Sequence, residues 1–430
     1  MESYHICGGI PLRGEYRVKG AKNSALPIMA ATACNAGVYV LHDCPAIDDV
    51  LAMERILLSL GAKTSRERDT VMIDSRSISN NSISAEMMRE MRSSVFMLGS
   101  LLTRCGEARI CKPGGCRIGS RPIDIHIDGL RELGFCIEND GEVYSCSGSC
   151  KGGELTLPYP SVGATENLVM AALRGSGDTI IHNCAREPEI VDLAAFLQTC
   201  GFSVRGAGGE TIAVRGKGAS GSSDAEYFIM EDRIEAATYM SAVLGTGGHA
   251  VFRNIRAEYM QPVLDVFKRM GAKIKLYEDT IELYASKGLR SAGFVVTSPY
   301  PGFPTDCQPQ LMSLAVTAEG LTTIREEIFE SRFTHKKELV KMGANIEICG
   351  RNAIIRGVSE LNGCELEAYD LRGGAALVVA ALTAQGESTV RNIKHISRGY
   401  EDFDKGICSL GGQIERQKCE ETKKTDEPIF

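Results

Sequence analysis

A period of about 70 residues runs through this 430-residue chain, and it limits the possible folds more than any other feature. An amphipathic stretch that ends in an apolar residue and a glycine occurs six times. The glycines are Gly61, Gly134, Gly201, Gly271, Gly343 and Gly411, spaced 73, 67, 70, 72 and 68 residues apart. The apolar positions fall at helical spacing: Met53, Ile56, Leu57 and Leu60 in the first stretch, Ile190, Leu193 and Leu197 in the third, Phe403, Ile407 and Leu410 in the sixth. A glycine just past the last turn suits a left-handed helix end. A hairpin-like segment usually follows. Each repeat also holds a second, nearly all-apolar stretch closed by glycine, such as SVGATENLVMAALRGSG or LRGGAALVVAALTAQG, which predicts a helix buried on most sides.

Each repeat therefore reads as strand, helix, strand, helix and two strands, an α/β fold. The sixth ends at GGQIERQ without a return strand, while SYHICGGIPLRGEYRVKG at the N-terminus resembles the missing strand pair. The N-terminal segment is accordingly expected to complete the last repeat. Two domains of three pseudo-symmetric βαβαββ units follow, residues 22–230 and residues 1–21 with 231–417. A polar tail, 418–430, is expected to be disordered.

Lys and Arg number 48 against 55 Asp and Glu, a formal charge of −7. That argues against a nucleic-acid or anionic-membrane partner. No apolar run approaches a membrane span, and the first residues lack a signal-peptide layout, so a cytoplasmic monomer is expected. Sixteen scattered cysteines without CxxC spacing predict neither a disulfide framework nor a metal site, and no cofactor is expected. Cations nevertheless collect at the expected helix starts: Lys22, Arg92, Arg121, Arg332, Arg372 and Arg398. An arginine there opposes the helix dipole, so a bound anion is the natural compensation, and the set points to a small polyanionic substrate.

The segment Cys111-Lys-Pro-Gly-Gly-Cys116-Arg-Ile-Gly-Ser-Arg121-Pro122-Ile123-Asp124 combines a glycine-rich loop with basic neighbours. A thiol at Cys116 in that setting should ionise readily, as an acid or nucleophile requires. His126 and His335 read as packed helix residues, Cys307 as incidental, and Glu187 and Glu189 as partners of nearby arginines or of a domain interface.

PGGCRIGSRPIDIHIDGL resembles the signature loop of the UDP-N-acetylglucosamine 1-carboxyvinyltransferase family, the enolpyruvyl transferases that open peptidoglycan synthesis. GAKNSALPI, MRSSVFMLG, PSVGATENL, AREPEIVDL, DRIEAATY, PGFPTDCQPQ, FESRFTHKKEL, YDLRGGAALVVAAL and ISRGYED resemble family motifs in family order, over about residues 7–417. The resemblance implies a two-domain inside-out α/β barrel. It also implies transfer of the enolpyruvyl group of phosphoenolpyruvate to the 3-hydroxyl of UDP-N-acetylglucosamine, through a tetrahedral ketal with release of phosphate.

By the same resemblance Cys116 protonates C3 of phosphoenolpyruvate, can form a covalent adduct with it, and is the target of fosfomycin. Asp306 is the base for, or at least orients, the sugar hydroxyl. Lys22, Arg92, Arg121 and Arg398 hold phosphate groups, and Arg332 and Arg372 with Arg398 clamp the carboxylate. Asn23 contacts the nucleotide sugar, and Arg121, Pro122, Ile123 and Asp124 line the uridine site. Ser161, Val162 and Gly163 offer N–H groups to the diphosphate, Asp370 partners the cations, and Ile328 helps position the substrate. Gly373-Gly374 departs from the family's usual Ala or Ser first and is expected to loosen a helix start. Shikimate 3-phosphate enolpyruvyl transfer is the rival activity, but its GNAGT-type segment does not occur here. A catalytically silent paralogue that senses the nucleotide sugar is the rival of a different class.

Overall fold

The structure is a computed structural model, and it describes residues 2–112, 114, 123–216, 224–286 and 288–418. All six repeat glycines have positive φ, from 80° at Gly411 to 105° at Gly271. They stop the helices with the expected bonds: Gly61 N–H donates to Leu58 (3.0 Å) and Ala62 N–H to Leu57 (3.0 Å), which occupies carbonyls the helix leaves open.

The described strands form six open sheets. In the third, Thr179–His182 lies parallel to Gly153–Thr156 and antiparallel to Thr211–Val214, which carries Val204–Arg205 on its far edge. The same order recurs in the other four-stranded sheets among the described residues. The second sheet has only three strands, with an isolated parallel bridge from Ser82 to Arg109 where the fourth would lie.

The N-terminus departs from the sequence-based expectation in one respect. Glu2–Cys7 does fill the return-strand place of the sixth sheet, antiparallel to both Glu387–Arg391 and Gln413–Lys418. Its supposed partner Arg13–Arg17 instead lies parallel to His249–Arg253 in the fourth sheet. The two strands part because the link between them is tied down on both sides. Gly8 and Gly9 donate to Gly386 and Leu382, while the Leu12 carbonyl accepts from His249. The last strand runs through Lys418. Residues 419–430, and with them the tail's expected disorder, lie outside the described residues.

Buried apolar side chains form two separate clusters. One is built from residues between Ala25 and Ile229, the other from Tyr4–Val18 together with residues between Ile234 and Ile414. In the second, the helices Arg233–Gly245, Gln308–Ala315 and Leu371–Thr383 pack on one another and are buried almost throughout. Apolar faces on all sides of a helix have to be covered on all sides, which is why these helices lie inside and the sheets outside.

The chain passes between the clusters twice, side by side: Ala21 N–H donates to Met230 (2.6 Å) and Asp232 N–H to Lys19 (2.8 Å). Each crossing leads directly into a helix that borders the cleft. The Asp232 carboxylate caps Arg233–Gly245 through Ile234 and Glu235 N–H (2.8 and 2.9 Å) and accepts from Lys22 N–H at 3.2 Å. One side chain thus fixes two cleft-facing helix starts, one from each cluster.

Candidate active site

A single cleft of about 730 Å³ lies between the clusters. It is lined by Lys22, Asn23, Arg92, Ser161, Val162, Gly163, Asp306, Ile328, Arg332, Asp370, Arg372 and Arg398, residues spread over nearly 380 positions of sequence. Two expected members are not on its wall. Ile123 is packed in the first cluster, and Asp124 is exposed at the start of the helix Asp124–Glu132. Cys116, Arg121 and Pro122 lie outside the described residues.

Local structure explains how each group is presented. Lys22 and Asn23 open the helix Lys22–Ala31, and Ser161 caps Val162–Ala172 through Ala164 N–H, leaving the 162 and 163 amides at the helix mouth. Asp306 sits in the 3-10 turn Thr305–Cys307. Glu326 braces that turn: it accepts from Thr305 Oγ1 (3.0 Å) and from Ile328 and Phe329 N–H (2.9 and 3.1 Å), which joins the Asp306 turn to the Ile328 loop. Asp370 caps the helix Leu371–Thr383 through Arg372 and Gly373 N–H (3.1 and 2.9 Å) and accepts from Thr334 Oγ1 at 2.8 Å. Burial alone would raise its carboxyl, but Arg332 and the Gly373 amide outweigh that and hold it below the usual range.

Two expectations change at this point. Arg398 does not begin a helix; it follows Lys394–Ser397 as its C-terminal cap, where a cation suits the dipole. Gly373-Gly374 does not loosen its helix start either. A Cβ on Gly373 would stand 2.7 Å from Asp370 Oδ2, and one on Gly374 2.9 Å from Ile396, so the glycines permit close packing around the cap.

The cations are organised into carboxylate-centred groups. Asp49 receives Lys22 Nζ at 2.6 Å and Arg398 Nε at 2.9 Å. Asp306 receives Arg332 at 2.6 Å and Arg372 at 3.4 Å, both arginines being 3% exposed. Arg233 forms a two-pronged pair with Glu189 at 2.9 and 3.1 Å, from the second cluster to the first, in keeping with the reading of Glu189 as an arginine partner at an interface. Glu187 Oε1 accepts from Tyr300 N–H at 3.3 Å. An anionic substrate entering this cleft finds cations already gathered and only has to displace carboxylates from them.

Asp49 is the functional residue the sequence reading passed over. Burial pushes its carboxyl up, but Lys22 and Arg398 more than reverse this and keep it low. Its stabilising effect is therefore present above the unfolded carboxylate pKa near 4 and lost as pH falls below it. Asp49→Asn is expected to cost about 3 kcal/mol at pH 7, because the buried Lys22 and the partly exposed Arg398 lose their shared carboxylate. Denaturant titrations of both proteins should show that difference shrinking below about pH 4; a pH-independent gap would contradict the pairing. Tyr400 was also missed. Its hydroxyl accepts from Arg372 at 3.1 Å and meets Thr238 Oγ1 at 2.7 Å.

Of the two histidines read as packed residues, both are buried, and His126 also lines the cleft. His126 is buried with Nδ1 2.8 Å from Asn167 Nδ2. His335 is buried, and burial pulls its pKa down to about 4. The fourteen cysteines among the described residues are free thiols, and burial pushes Cys307 up to about 12.

Comparison with known proteins places this fold and cleft among the enolpyruvyl transferases. A family model for EPSP synthase (3-phosphoshikimate 1-carboxyvinyltransferase) matches residues 6–407. The enolpyruvyl transferase NikO from Streptomyces tendae has the same fold, with a TM-score of 0.87 at 24% identity over 97% of this chain and 99% of that one. EPSP synthase from Acinetobacter baumannii gives 0.74 at 20% identity, covering 97% and 100%. More specific similarity comes from UDP-N-acetylglucosamine 1-carboxyvinyltransferase 2 of Caldanaerobacter subterraneus subsp. tengcongensis, 44% identical over 97% of this chain and 100% of that protein. The Coxiella burnetii UDP-N-acetylglucosamine 1-carboxyvinyltransferase is also 44% identical, over 97% and 96%. The chain belongs to the UDP-N-acetylglucosamine 1-carboxyvinyltransferase family.

Proposed function

We propose that this cleft transfers the enolpyruvyl group of phosphoenolpyruvate to the 3-hydroxyl of UDP-N-acetylglucosamine and releases phosphate, the first committed step of peptidoglycan synthesis. The observation that carries the reading is the pair of charge groups facing one cavity, Lys22–Asp49–Arg398 and Arg332–Asp306–Arg372.

Phosphoenolpyruvate brings a phosphate and a carboxylate. Lys22 and Arg398, with Arg92 and Arg121, take the phosphate, and Arg332 and Arg372 take the carboxylate. Drawing those two arginines onto the substrate frees Asp306 to accept the proton of the sugar 3-hydroxyl. The hydroxyl oxygen bonds to C2 while the Cys116 thiol gives its proton to C3, forming the tetrahedral ketal. Elimination returns a proton from C3 to the Cys116 thiolate, breaks the bond from C2 to the phosphate ester oxygen and releases phosphate. Asn23 and Ile328 position the sugar, the amides at Ser161–Gly163 hold the diphosphate, and Arg121 and Pro122 hold the uridine.

Two three-unit domains, residues 22–230 and residues 1–21 with 231–417, close over the nucleotide sugar as a cytoplasmic monomer. The two apolar clusters and the buried helices support this inside-out barrel arrangement. Phosphate release is expected from phosphoenolpyruvate with UDP-N-acetylglucosamine and not with shikimate 3-phosphate. Release with shikimate 3-phosphate would move the chain to the rival activity. Binding of the nucleotide sugar without any phosphate would make it a sensor.

A further inference from the structure

Among the cleft-lining side chains that the mechanism does not use is the carboxylate of Glu166. Glu166 lies one turn inside the helix Val162–Ala172 and is 1% exposed. It lines the cleft, yet neither carboxylate oxygen has a hydrogen-bond partner among the described residues. Glu187 Oε2, on the same wall, is likewise buried and unpartnered. Arg233, which also lines the cleft, is already committed to Glu189 by both prongs. Burial first, then the Glu189 and Glu187 carboxylates, push the Glu166 carboxyl well above its usual range. Leaving such groups without donors is costly, so a wall like this is completed by a ligand that supplies them.

The position narrows the ligand. A phosphate would meet carboxylates here and amides at the helix mouth, so the diphosphate belongs at Ser161–Gly163 and not beside Glu166. Glu187 holds Tyr300, whose loop leads into the Thr305–Cys307 turn, and the Arg233 charge is felt at Cys307, next to Asp306. A hexose with its 3-hydroxyl on Asp306 and its diphosphate at Ser161–Gly163 therefore turns its remaining hydroxyls toward Glu166 and Glu187. A buried carboxyl that holds its proton both donates and accepts, and hydroxyl groups match it in both senses, whereas the N-acetyl carbonyl can only accept.

We propose that Glu166, with Glu187 Oε2, exchanges hydrogen bonds with the hexose hydroxyls other than the 3-hydroxyl, and so makes the enzyme selective for the sugar at C4 and C6. The assignment rests on UDP-N-acetylglucosamine being the substrate.

The test is a substrate–variant cycle read as the affinity of the nucleotide sugar alone, measured by calorimetry without phosphoenolpyruvate. The full-length wild type should bind the 4-deoxy or the 6-deoxy analogue about 10- to 100-fold more weakly than UDP-N-acetylglucosamine. Glu166→Leu should lose about as much on the parent sugar and nothing further on that analogue, with Glu166→Gln between the two. Equal losses in wild type and variants on both analogues would overturn the proposal. So would a coupling seen only with a 2′-deoxyribose analogue, which would place the ribose there. Melting curves identify a variant that folds poorly, and the Gln variant, matched in shape, then carries the comparison. Wild type that does not bind UDP-N-acetylglucosamine at all would refute the substrate assignment itself, a result distinct from intact binding without coupling.

Discussion

Cys116→Ser is expected to lower phosphate release by about 10²- to 10⁴-fold, the usual contribution of a general acid. A serine hydroxyl is a far weaker acid than a thiol, so C3 of phosphoenolpyruvate loses its proton source while the shape of the loop is preserved. Calorimetry with UDP-N-acetylglucosamine should give nearly unchanged affinity, because the thiol serves proton transfer and not nucleotide recognition. Unchanged turnover would end the acid role. Fosfomycin adds a second readout, since its epoxide should alkylate Cys116 alone. Cys307 lies next to the proposed base, but burial holds it up near 12, so little of it is thiolate at neutral pH. Labelling at another cysteine with activity retained would count against Cys116 as the special thiol.

Asp306→Asn should reduce turnover by a comparable factor, about 10²- to 10⁴-fold, through loss of the base for the sugar hydroxyl. The arginines make this variant diagnostic. Arg332 and Arg372 are buried and share Asp306 as counter-ion, so an amide there costs about 1–3 kcal/mol of stability. The same change leaves both guanidinium groups freer for the carboxylate of phosphoenolpyruvate. A steep fall in kcat with an unchanged or lower KM for phosphoenolpyruvate is therefore expected. A raised KM with kcat intact would make Asp306 a binding residue and nothing more.

Much of the architecture was legible because it is written in local chemistry. A glycine at a left-handed helix end, helical spacing of apolar residues and an all-apolar second helix are short-range signals repeated six times, and the six positive φ angles answer them directly. The Cys116 loop stands out in the sequence for a similar reason, its glycines, cations and thiol lying within a dozen residues, but it lies outside the described residues. The cations at Lys22 and Arg372 could be picked out from position and type; Arg332 and Arg398 could be picked out by type, since neither begins a helix.

What stayed hidden depends on contacts between distant segments. Asp49 looked like one of two acids at the start of an amphipathic helix; only the approach of residue 398 to residue 22 makes it the hub of two cations. Glu326 reads as an ordinary acid at a strand end until Thr305 and the 328–329 amides converge on it. Glu166 sits in an apolar helix where sequence offers no reason to expect a carboxylate without a donor. The N-terminal strands were recognised, but not that they serve different sheets, because strand propensity does not specify a partner across 230 or 380 residues.

The sequence by itself determined the repeat, the helix ends and which residue types could do the chemistry, since turn conformation, amphipathic spacing and side-chain acidity act over a few residues. The tertiary structure alone decided which carboxylate neutralises which cation, and which buried group is left without a partner. Those outcomes depend on distances between the two halves of a cleft, and such distances exist only once both apolar clusters have packed.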